Sequence, residues 1–248
     1  MTERRVRKLY YSWYSICSEK VLICLFEKDL PFEGRHVDLF DFDQVKDEYL
    51  AINPAGMVPT LVDGGRPIPE STIINEYLED VAPQPSLRPR DPYRCAEMRG
   101  WVHRFQDIVF PAVGLLSQVA FIASELNRRW PPEELEALIR RKVGEERVAR
   151  QLRAVRGALT AEEVLAAAGR IERVLEAAER LLGDGRDWLA GAYSLADAAA
   201  APNLYRLDII GRGEMVACRP SVAAWYRRMT TRSAFLRTYE FSPSVRRV

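Results

Sequence analysis

The sequence predicts an α/β domain followed by an all-α domain, on three observations. Short apolar runs suited to strands alternate with amphipathic helical runs through residues 6–81. Four prolines then interrupt the chain between Pro83 and Pro92, as is typical of an interdomain linker. Beyond them almost every segment has helical periodicity. We therefore predict an α/β domain over residues 5–82, a linker over 83–92 and a helical domain over 93–240.

The first domain is predicted to have the element order β-α-β-α-β-β-α. A strand at "VRKLYY" precedes a helix that begins near Ser18, and "FEGRHVDL" is the second strand. "VKDEYLAIN" is a short helix ended by Pro54, and "MVPTLVDGGRPIP" is two strands around an Asp-Gly-Gly turn. The last helix is "ESTIINEYLEDV", for which we predict one apolar face: Ile73, Ile74, Tyr77, Leu78 and Val81.

The helical domain is predicted to contain five long helices. Their expected spans are 93–126, 132–155, 160–182, 195–210 and 220–232. Two of the starts carry capping signatures, "TAEE" at Thr160 and "SLAD" at Ser194. Both signatures indicate structure and say little about chemistry.

Composition and charge exclude several classes of protein. Lys and Arg number 36 and Asp and Glu 35, for a formal net charge of +1, so no footprint for nucleic acid or an anionic membrane is present. No apolar run reaches the ~20 residues of a membrane span, and the start "MTERRVRK" lacks the features of a signal peptide. We expect a cytoplasmic protein. The four cysteines lack metal-ligand spacing and only two histidines are present, so we expect neither disulfides nor a metal site.

The stretch "INPAGMVPTLVDGG" carries the first chemical signal. Pro59 cannot donate to a sheet ladder, which predicts a turn or an edge position there. If the Val58-Pro59 bond is cis, Val58 turns its backbone N–H and C=O outward and can bind a peptide. Glu70 and Ser71 begin a helix whose free N–H groups favour a carboxylate, and Glu70 can pair with an ammonium group beside it. Simple capping of the helix is the alternative.

The whole arrangement resembles the glutathione transferase superfamily. The resemblance rests on "INPAGMVPTL", "ESTIINEYLED", the Pro-rich linker and "WLAGAYSLADAAAAP". It implies a thioredoxin-like first domain and glutathione as co-substrate. It also implies that Val58 with Pro59 binds the cysteinyl backbone of glutathione and that Glu70 and Ser71 hold its γ-glutamyl end. A homodimer is expected from the resemblance alone, and "SLAD" is implied to matter for folding.

The stretch "SICS", residues 15–18, indicates the branch. It is similar to the "SSCS" of zeta-class transferases, which include maleylacetoacetate isomerases, and to the "SICS" of tetrachlorohydroquinone reductive dehalogenases. The resemblance implies that Ser15 is the catalytic serine, whereas Ile16 replaces the second serine. It further implies that Gln44 contacts glutathione, with Lys46 as a possible substitute. The first domain also resembles that of the bacterial lignin β-etherases and of the animal ganglioside-induced differentiation-associated proteins.

Two residues compete for the chemistry at this site. A hydroxyl such as that of Ser15 can stabilise the glutathione thiolate, aided by the helix N-terminus. Cys17, near the same N-terminus and followed by Lys20, can instead attack a glutathionylated intermediate or form a mixed disulfide, or it is a small packing residue. Because residue 20 is Lys, no CxxC motif exists and dithiol oxidoreduction is disfavoured.

The predicted function is therefore a detoxification-type glutathione transferase, in which Ser15 stabilises the thiolate that attacks a small hydrophobic electrophile. The alternatives are a Cys17-dependent thiol exchange, reductive dehalogenation or β-ether cleavage, and a non-catalytic glutathione-fold binding protein. Trp101, His103 and Phe105 either line the electrophile pocket or belong to the core. An insertion at 128–155 covers that pocket, contacts a partner or lengthens the bundle.

Overall fold

The computed structural model describes residues 6–241, so the predicted domain start at residue 5 lies outside the described residues. The strands are β1 (Arg7–Tyr11), β2 (Phe32–His36), β3 (Thr60–Asp63) and β4 (Arg66–Pro69), in the sheet order β2-β1-β3-β4. β1 runs parallel to β2, and β3 runs antiparallel to both β1 and β4. The helices of this part are α1 (Ile16–Glu27), α2 (Asp47–Leu50), preceded by a 3₁₀ turn, and α3 (Ser71–Val81). The predicted β-α-β-α-β-β-α order is confirmed.

Prolines occupy positions in this sheet that need no ladder donor. Pro59 directly precedes β3, an interior strand, so it lies in a turn. Pro67 and Pro69 belong to β4, the edge strand, where one side of the strand has no neighbour.

The remainder of the described chain is helical. In chain order it contains α4 (Pro92–His103), α5 (Phe110–Ser117), α6 (Ala123–Arg129), α7 (Pro132–Arg140), α8 (Glu145–Val155), α9 (Ala161–Leu182), α10 (Leu195–Ile209), α11 (Glu214–Ala217), α12 (Pro220–Thr230) and α13 (Ser233–Phe241). Two π-helical segments, Arg104–Val109 and Gln118–Ile122, join α4, α5 and α6 into one run. The Pro-rich segment lies between α3 and α4, and the exact domain division stays a prediction.

Three expectations about the helices were wrong. The predicted helix 132–155 is two helices, α7 and α8, because the chain turns at Gly144, which has φ +95° and precedes α8. α11 and α13 were not predicted. In α3 the buried face is Ile74, Asn75, Leu78 and Glu79, whereas Ile73 and Val81 are exposed. The polar Asn75 and Glu79 are buried because Asn75 donates to the Lys20 carbonyl and Glu79 accepts from Lys28 and the Leu87 N–H.

Helix α1 lies between the two parts of the molecule. It packs against α3 on one side and against α10 and α13 on the other. Its residues from Ser18 to Leu25 are all buried, including the charged Glu19 and Lys20. The N-terminus of α1 therefore opens at the boundary between the sheet and the helical bundle.

Both predicted capping boxes are confirmed. At the start of α9 the Thr160 hydroxyl accepts from the Glu163 N–H and the Glu163 carboxylate accepts from the Thr160 N–H. At the start of α10 the Ser194 N–H donates to Asp197, at 2.9 Å. Asp197 also accepts from the Leu189 N–H and the Trp225 indole, so it ties three segments of the bundle together.

One helical run, Pro92–Arg129, has the length and the apolar composition of a membrane span, with a mean hydropathy of 1.6 over its most apolar window. This is weak evidence for a span, because a core helix of a soluble protein meets the same criteria. Here the run contributes Met98, Trp101, Phe105, Val109 and Val113 to the main hydrophobic core.

The segment 128–155 does more than lengthen the bundle. Leu135 and Ile139 of α7 and Leu152 of α8 form a core cluster with Phe40 and Phe42 from the loop after β2. The Trp130 indole donates to the Phe40 carbonyl at 2.8 Å. The insertion is thus packed onto the loop after β2, and it contributes residues to the lining of a cavity described below.

Candidate active site

The N-terminus of α1 is organised by serine side chains. Ser15 is the N-cap, with a β-region backbone, and its hydroxyl oxygen accepts from the Ser18 N–H at 3.1 Å. The Ser18 hydroxyl in turn accepts from the Ser12 N–H. The helix therefore begins at Ile16, two residues earlier than predicted. Since the Ser15 oxygen only accepts in this bond, its O–H remains available to donate, and no acceptor for it is found within residues 6–241.

Ser15 opens into a cavity of about 220 Å³ between the sheet and the helical bundle. One wall contains Ser15 and Cys17, and another contains Met57 and Val58. The lining also includes aromatic, aliphatic and small residues: Tyr14, Phe40, Phe110, Gly114, Ser117 and Ile122. A mainly apolar cleft that also carries polar and charged side chains is typical of a small-molecule site.

Cys17 lies in this cavity as a poorly activated thiol. Burial raises its pKa, and the lowering effects of the Lys20 ammonium and a hydrogen bond with Ser71 do not offset this. Glu70 and Glu19 raise it further. A thiol with a raised pKa carries little thiolate at neutral pH, so Cys17 is a weak nucleophile. All four cysteines are free, and burial also raises the pKa of Cys24.

The Val58-Pro59 peptide bond is cis, as the sequence motif suggested. No partner for the N–H or C=O of Val58 is found in the described part of the chain. The turn before it is held by the Met57 carbonyl, which accepts from the Asn53 amide at 2.9 Å and from the Tyr49 hydroxyl at 2.5 Å. Gly56 is required in this turn, because it has φ +58° and a Cβ would come within 2.9 Å of a backbone carbonyl.

Glu70 and Ser71 lie at the start of α3, beside a second cavity of about 660 Å³. Glu70 has φ +67° and makes no capping bond, so its exposed side chain is available to a ligand. Ser71 is buried and begins the helix, where the first N–H groups lack helical partners. Asp107 lines the same cavity, as does Lys20, whose ammonium donates to Thr72 and Gln106.

Gln44 and Lys46 lie outside the lining of both cavities. Gln44 is 1% exposed, and neither amide atom has a partner among residues 6–241. Lys46 is exposed and forms an ion pair with Asp43 at 2.5 Å, which raises its pKa. Their contact with glutathione stays a prediction.

The other candidate pocket residues divide between core and surface. Trp101 and Phe105 are buried in the main core, and His103 is exposed and pairs with Asp107 at 2.5 Å. The helical run instead presents later residues, from Phe110 to Leu126, to the cavity. Among residues 6–241 there is no group of three or more metal-ligating side chains.

Sequence reasoning missed Arg206, which lines the cavity although it is 2% exposed. Its guanidinium donates to the Tyr14 carbonyl at 3.2 Å and lies 3.8 Å from the Glu19 carboxylate. Burial raises the pKa of Glu19 to about 7, against the lowering effects of Arg206 and of the Tyr239 hydroxyl, which donates to Glu19. Arg206 of α10 thereby holds Tyr14, the residue that precedes Ser15. No pattern around Arg206 in the sequence indicates this pairing.

The insertion supplies another set of cavity residues that the sequence did not indicate: Lys142, Arg147, Arg150 and Gln151. The insertion therefore contributes to the lining of the cavity, and its role there stays a prediction.

Comparison with known proteins agrees with this architecture. A model described as "Glutathione S-transferase, N-terminal domain" matches residues 14–81, and one described as the C-terminal domain matches residues 145–228. Protein LigF of Sphingobium sp. strain SYK-6 is 33% identical over 95% of this chain and 93% of its own. Maleylacetoacetate isomerase of Pseudomonas aeruginosa is 32% identical over 82% of each chain.

Solved structures give the same result. The crystal structure of beta-etherase LigF from the Sphingobium strain matches with a TM-score of 0.88 and 32% identity, over 95% of this chain and 99% of that one. Glutathione transferase F7 of Populus trichocarpa matches with a TM-score of 0.74 and 27% identity, over 95% and 98%. The chain therefore has a thioredoxin-like first domain and a helical second domain, belongs to the glutathione S-transferase family, and is a glutathione-dependent enzyme of that family.

Proposed function

We propose that Ser15 stabilises the glutathione thiolate and that this thiolate attacks an electrophilic carbon of a hydrophobic substrate in the cavity. The observation that carries the proposal is the Ser15 hydroxyl: its oxygen is held by the Ser18 N–H and its proton is free to donate into the cavity. A free thiol has a pKa of about 8.5, so little thiolate exists at neutral pH without such help. A hydrogen bond to the charged sulfur and the field of the α1 N-terminus both favour the thiolate.

The rest of glutathione is placed by the two ends of the site. The unpaired backbone groups of Val58, beside Pro59, bind the cysteinyl residue by main-chain hydrogen bonds. The start of α3 at Ser71 receives the γ-glutamyl carboxylate, and Glu70 pairs with the ammonium group. Gln44 and Lys46 remain candidates for further contacts with glutathione, at greater distance from the cavity lining.

Cys17 serves as a wall of the cavity in this proposal. Its raised pKa argues against a nucleophilic thiolate, and so against thiol exchange through Cys17. The role assigned to Ser15 requires no ionisation, because a neutral hydroxyl can donate a hydrogen bond.

For the second substrate we propose a β-aryl ether. The supporting observation is that the match to LigF, whose crystal structure is described as that of a beta-etherase, extends over 95% of this chain in both sequence and fold. The aromatic lining of Tyr14, Phe40 and Phe110 suits an aryl group. In the reaction, the glutathione sulfur forms a bond to the carbon that carries the ether oxygen. The C–O bond breaks, and the leaving phenolate takes a proton from water.

Turnover on a substrate panel tests the proposal. The panel contains a β-aryl ether ketone, a chloronitrobenzene, a halogenated hydroquinone and a maleyl ketone, each assayed with glutathione for wild type, Ser15→Ala and Cys17→Ser. We expect the ether to be the preferred substrate, Ser15→Ala to lose about 10-fold or more of the activity, and Cys17→Ser to keep it. If the maleyl ketone is preferred, the isomerase relatives indicate the correct substrate. If Cys17→Ser stops turnover, the roles of Ser15 and Cys17 are reversed.

Family membership also supports a homodimer that acts in the cytoplasm, and we propose both. Light scattering of the purified enzyme tests the dimer, and fractionation of the cells that express it tests the location. A monomer in solution, or activity confined to a membrane fraction, would contradict these proposals.

A further inference from the structure

Three cationic side chains of the insertion face the cavity. Lys142 follows α7, and Arg147 and Arg150 lie on α8. Positions 147, 150 and 151 are spaced i, i+3 and i+4, so these residues share one face of α8. That face carries Gln151, which also lines the cavity. The insertion thus presents a cationic cluster, Lys142, Arg147 and Arg150, to a cavity that is otherwise lined mainly by apolar groups.

Within residues 6–241 the cationic cluster has no carboxylate partner. The Lys142 ammonium donates to the Gln151 amide oxygen at 2.7 Å and lies 4.8 Å from the centre of the Phe42 ring. Arg147 donates to the Met57 sulfur. Neither partner is charged, and no ion pair of Arg150 is found in the described part of the chain.

Neighbouring arginines that face outward are paired. Arg153 lies 2.6 Å from Glu163, and Arg156 lies 2.5 Å from Glu136. Arg141, next to Lys142 in sequence, lies 3.6 Å from Asp47. The absence of carboxylates therefore distinguishes the cavity face of the insertion from its outer face.

The charged forms of these unpaired cations are destabilised by burial. Burial lowers the pKa of Lys142 to about 7, and the charge of Arg147 lowers it further. Burial and the charge of Arg150 lower the pKa of Arg147. A desolvated cation is stabilised by an anion that reaches it with good geometry, and a carboxylate can accept from both an ammonium and a guanidinium. The cluster is suited to a ligand that brings a negative charge into the cavity.

We propose that Lys142, Arg147 and Arg150 form a carboxylate-binding subsite of the active-site cavity. The inference rests on the proposed function and extends it to the insertion. The carboxylate comes either from the glycyl end of glutathione or from an acidic group on the electrophile.

The contact of Arg147 with Met57 favours the glycyl source. Met57 precedes Val58, which we have assigned to the cysteinyl residue, and Ser71 takes the γ-glutamyl end. Glutathione is a linear tripeptide, so its glycyl carboxylate extends from Val58 away from Ser71. Among the cations that line this cavity, Arg206 pairs with Glu19, whereas no carboxylate in the described part of the chain pairs with Lys142, Arg147 or Arg150.

Binding measurements on charge-neutral variants test the subsite. The variants are Lys142→Met, Arg147→Gln and Arg150→Gln, and the matched control is Arg153→Gln, on the same helix but paired with Glu163. Calorimetry gives the affinity of each protein for glutathione and for its glycyl monoethyl ester. Kinetics with 4-chloro-3-nitrobenzoic acid and its methyl ester gives the effect of a carboxylate on the electrophile. Melting curves verify that each variant is folded.

We expect each cluster variant to weaken the binding of a carboxylate-bearing ligand about 10-fold, with the control unchanged. A loss seen with glutathione but absent with its ester identifies the glycyl carboxylate. A loss of kcat/KM seen only with the benzoic acid identifies the electrophile. If the folded variants show wild-type affinities and wild-type kcat/KM with both the acids and the esters, the subsite is refuted. Failure of the proposed function has a different signature, namely full turnover by Ser15→Ala.

Discussion

Replacing Arg206 with Met tests how α10 supports the loop that carries Ser15. Arg206 and Glu19 are both almost fully buried and 3.8 Å apart. At this distance Coulomb's law with an effective dielectric constant of about 20 gives about 4 kcal/mol for two unit charges. Removing one partner of a buried pair typically costs ~3–5 kcal/mol, because the other charge is left uncompensated. Glu19 can instead take up a proton, so at pH 8, one unit above its pKa of about 7, the electrostatic cost of Arg206→Met is limited to about 1.4 kcal/mol.

The cost of this change depends on pH in a defined direction. Burial raises the pKa of Glu19 to about 7, above its unfolded value. The stability that the protonated carboxyl contributes to the folded state is therefore lost as the pH rises through 7. In wild type Arg206 limits that loss by stabilising the ionised form. Without Arg206 the pKa of Glu19 rises further. The destabilisation by Arg206→Met is therefore small at pH 6, where Glu19 is mostly neutral in both proteins, and larger at pH 8.

Urea denaturation of wild type, Arg206→Met, Glu19→Gln and the double variant at both pH values measures this coupling. The double-mutant cycle should give about 1 kcal/mol at pH 8 and close to zero at pH 6. The reasoning would be refuted if the losses in the free energy of unfolding of the two single variants simply added, or if Arg206→Met lost the same amount at both pH values.

Three further predictions concern the site and the fold. Ser15→Ala should raise the pKa of enzyme-bound glutathione by about 1–2 units in a thiolate absorbance titration, because a hydrogen bond to the charged sulfur is lost, whereas Ser15→Thr keeps the hydroxyl. If the pKa of bound glutathione were the same in Ser15→Ala as in wild type, Ser15 would not stabilise the thiolate. Asp197→Ala should lower the free energy of unfolding by about 3 kcal/mol, since buried donors lose their acceptor, and Glu163→Ala in the exposed capping box by about 1 kcal/mol. Equal losses in chemical denaturation would contradict this ordering. Gly56→Ala should destabilise more than Gly65→Ala, because both glycines have positive φ but only Gly56 lacks room for a Cβ. Thermal melting would contradict the space argument if Gly65→Ala were the worse variant.

Patterns that act over short stretches of chain were sufficient for most of the fold. The two capping boxes and the order of the elements in the first domain were predicted from neighbouring residues, whereas the cis bond before Pro59 was only a condition that the structure meets. Failures occurred where packing overrides periodicity. In α3 the apolar Ile73 is exposed while Asn75 is buried, where its amide nitrogen donates to the carbonyl of Lys20 on another helix.

The active-site residues divide in the same way. Ser15, Cys17, Val58 and the start of α3 could be located from motifs, since each lies in a stretch whose spacing carries chemistry. Cys17 could not be assigned a role, because the pKa of a thiol depends on burial and on charges from other elements.

The sequence by itself determined an α/β domain joined to a helical one, and a site at the start of the first helix. Local backbone preferences and motif spacing are properties of adjacent residues, so they can be read along the chain. Only the tertiary structure decided that Arg206, 187 positions after Glu19 in the numbering, pairs with it beneath Ser15, and that the insertion turns unpaired cations toward the cavity. Burial, ion pairing and the lack of a carboxylate partner depend on which distant segments meet, and no periodicity in the sequence carries that information.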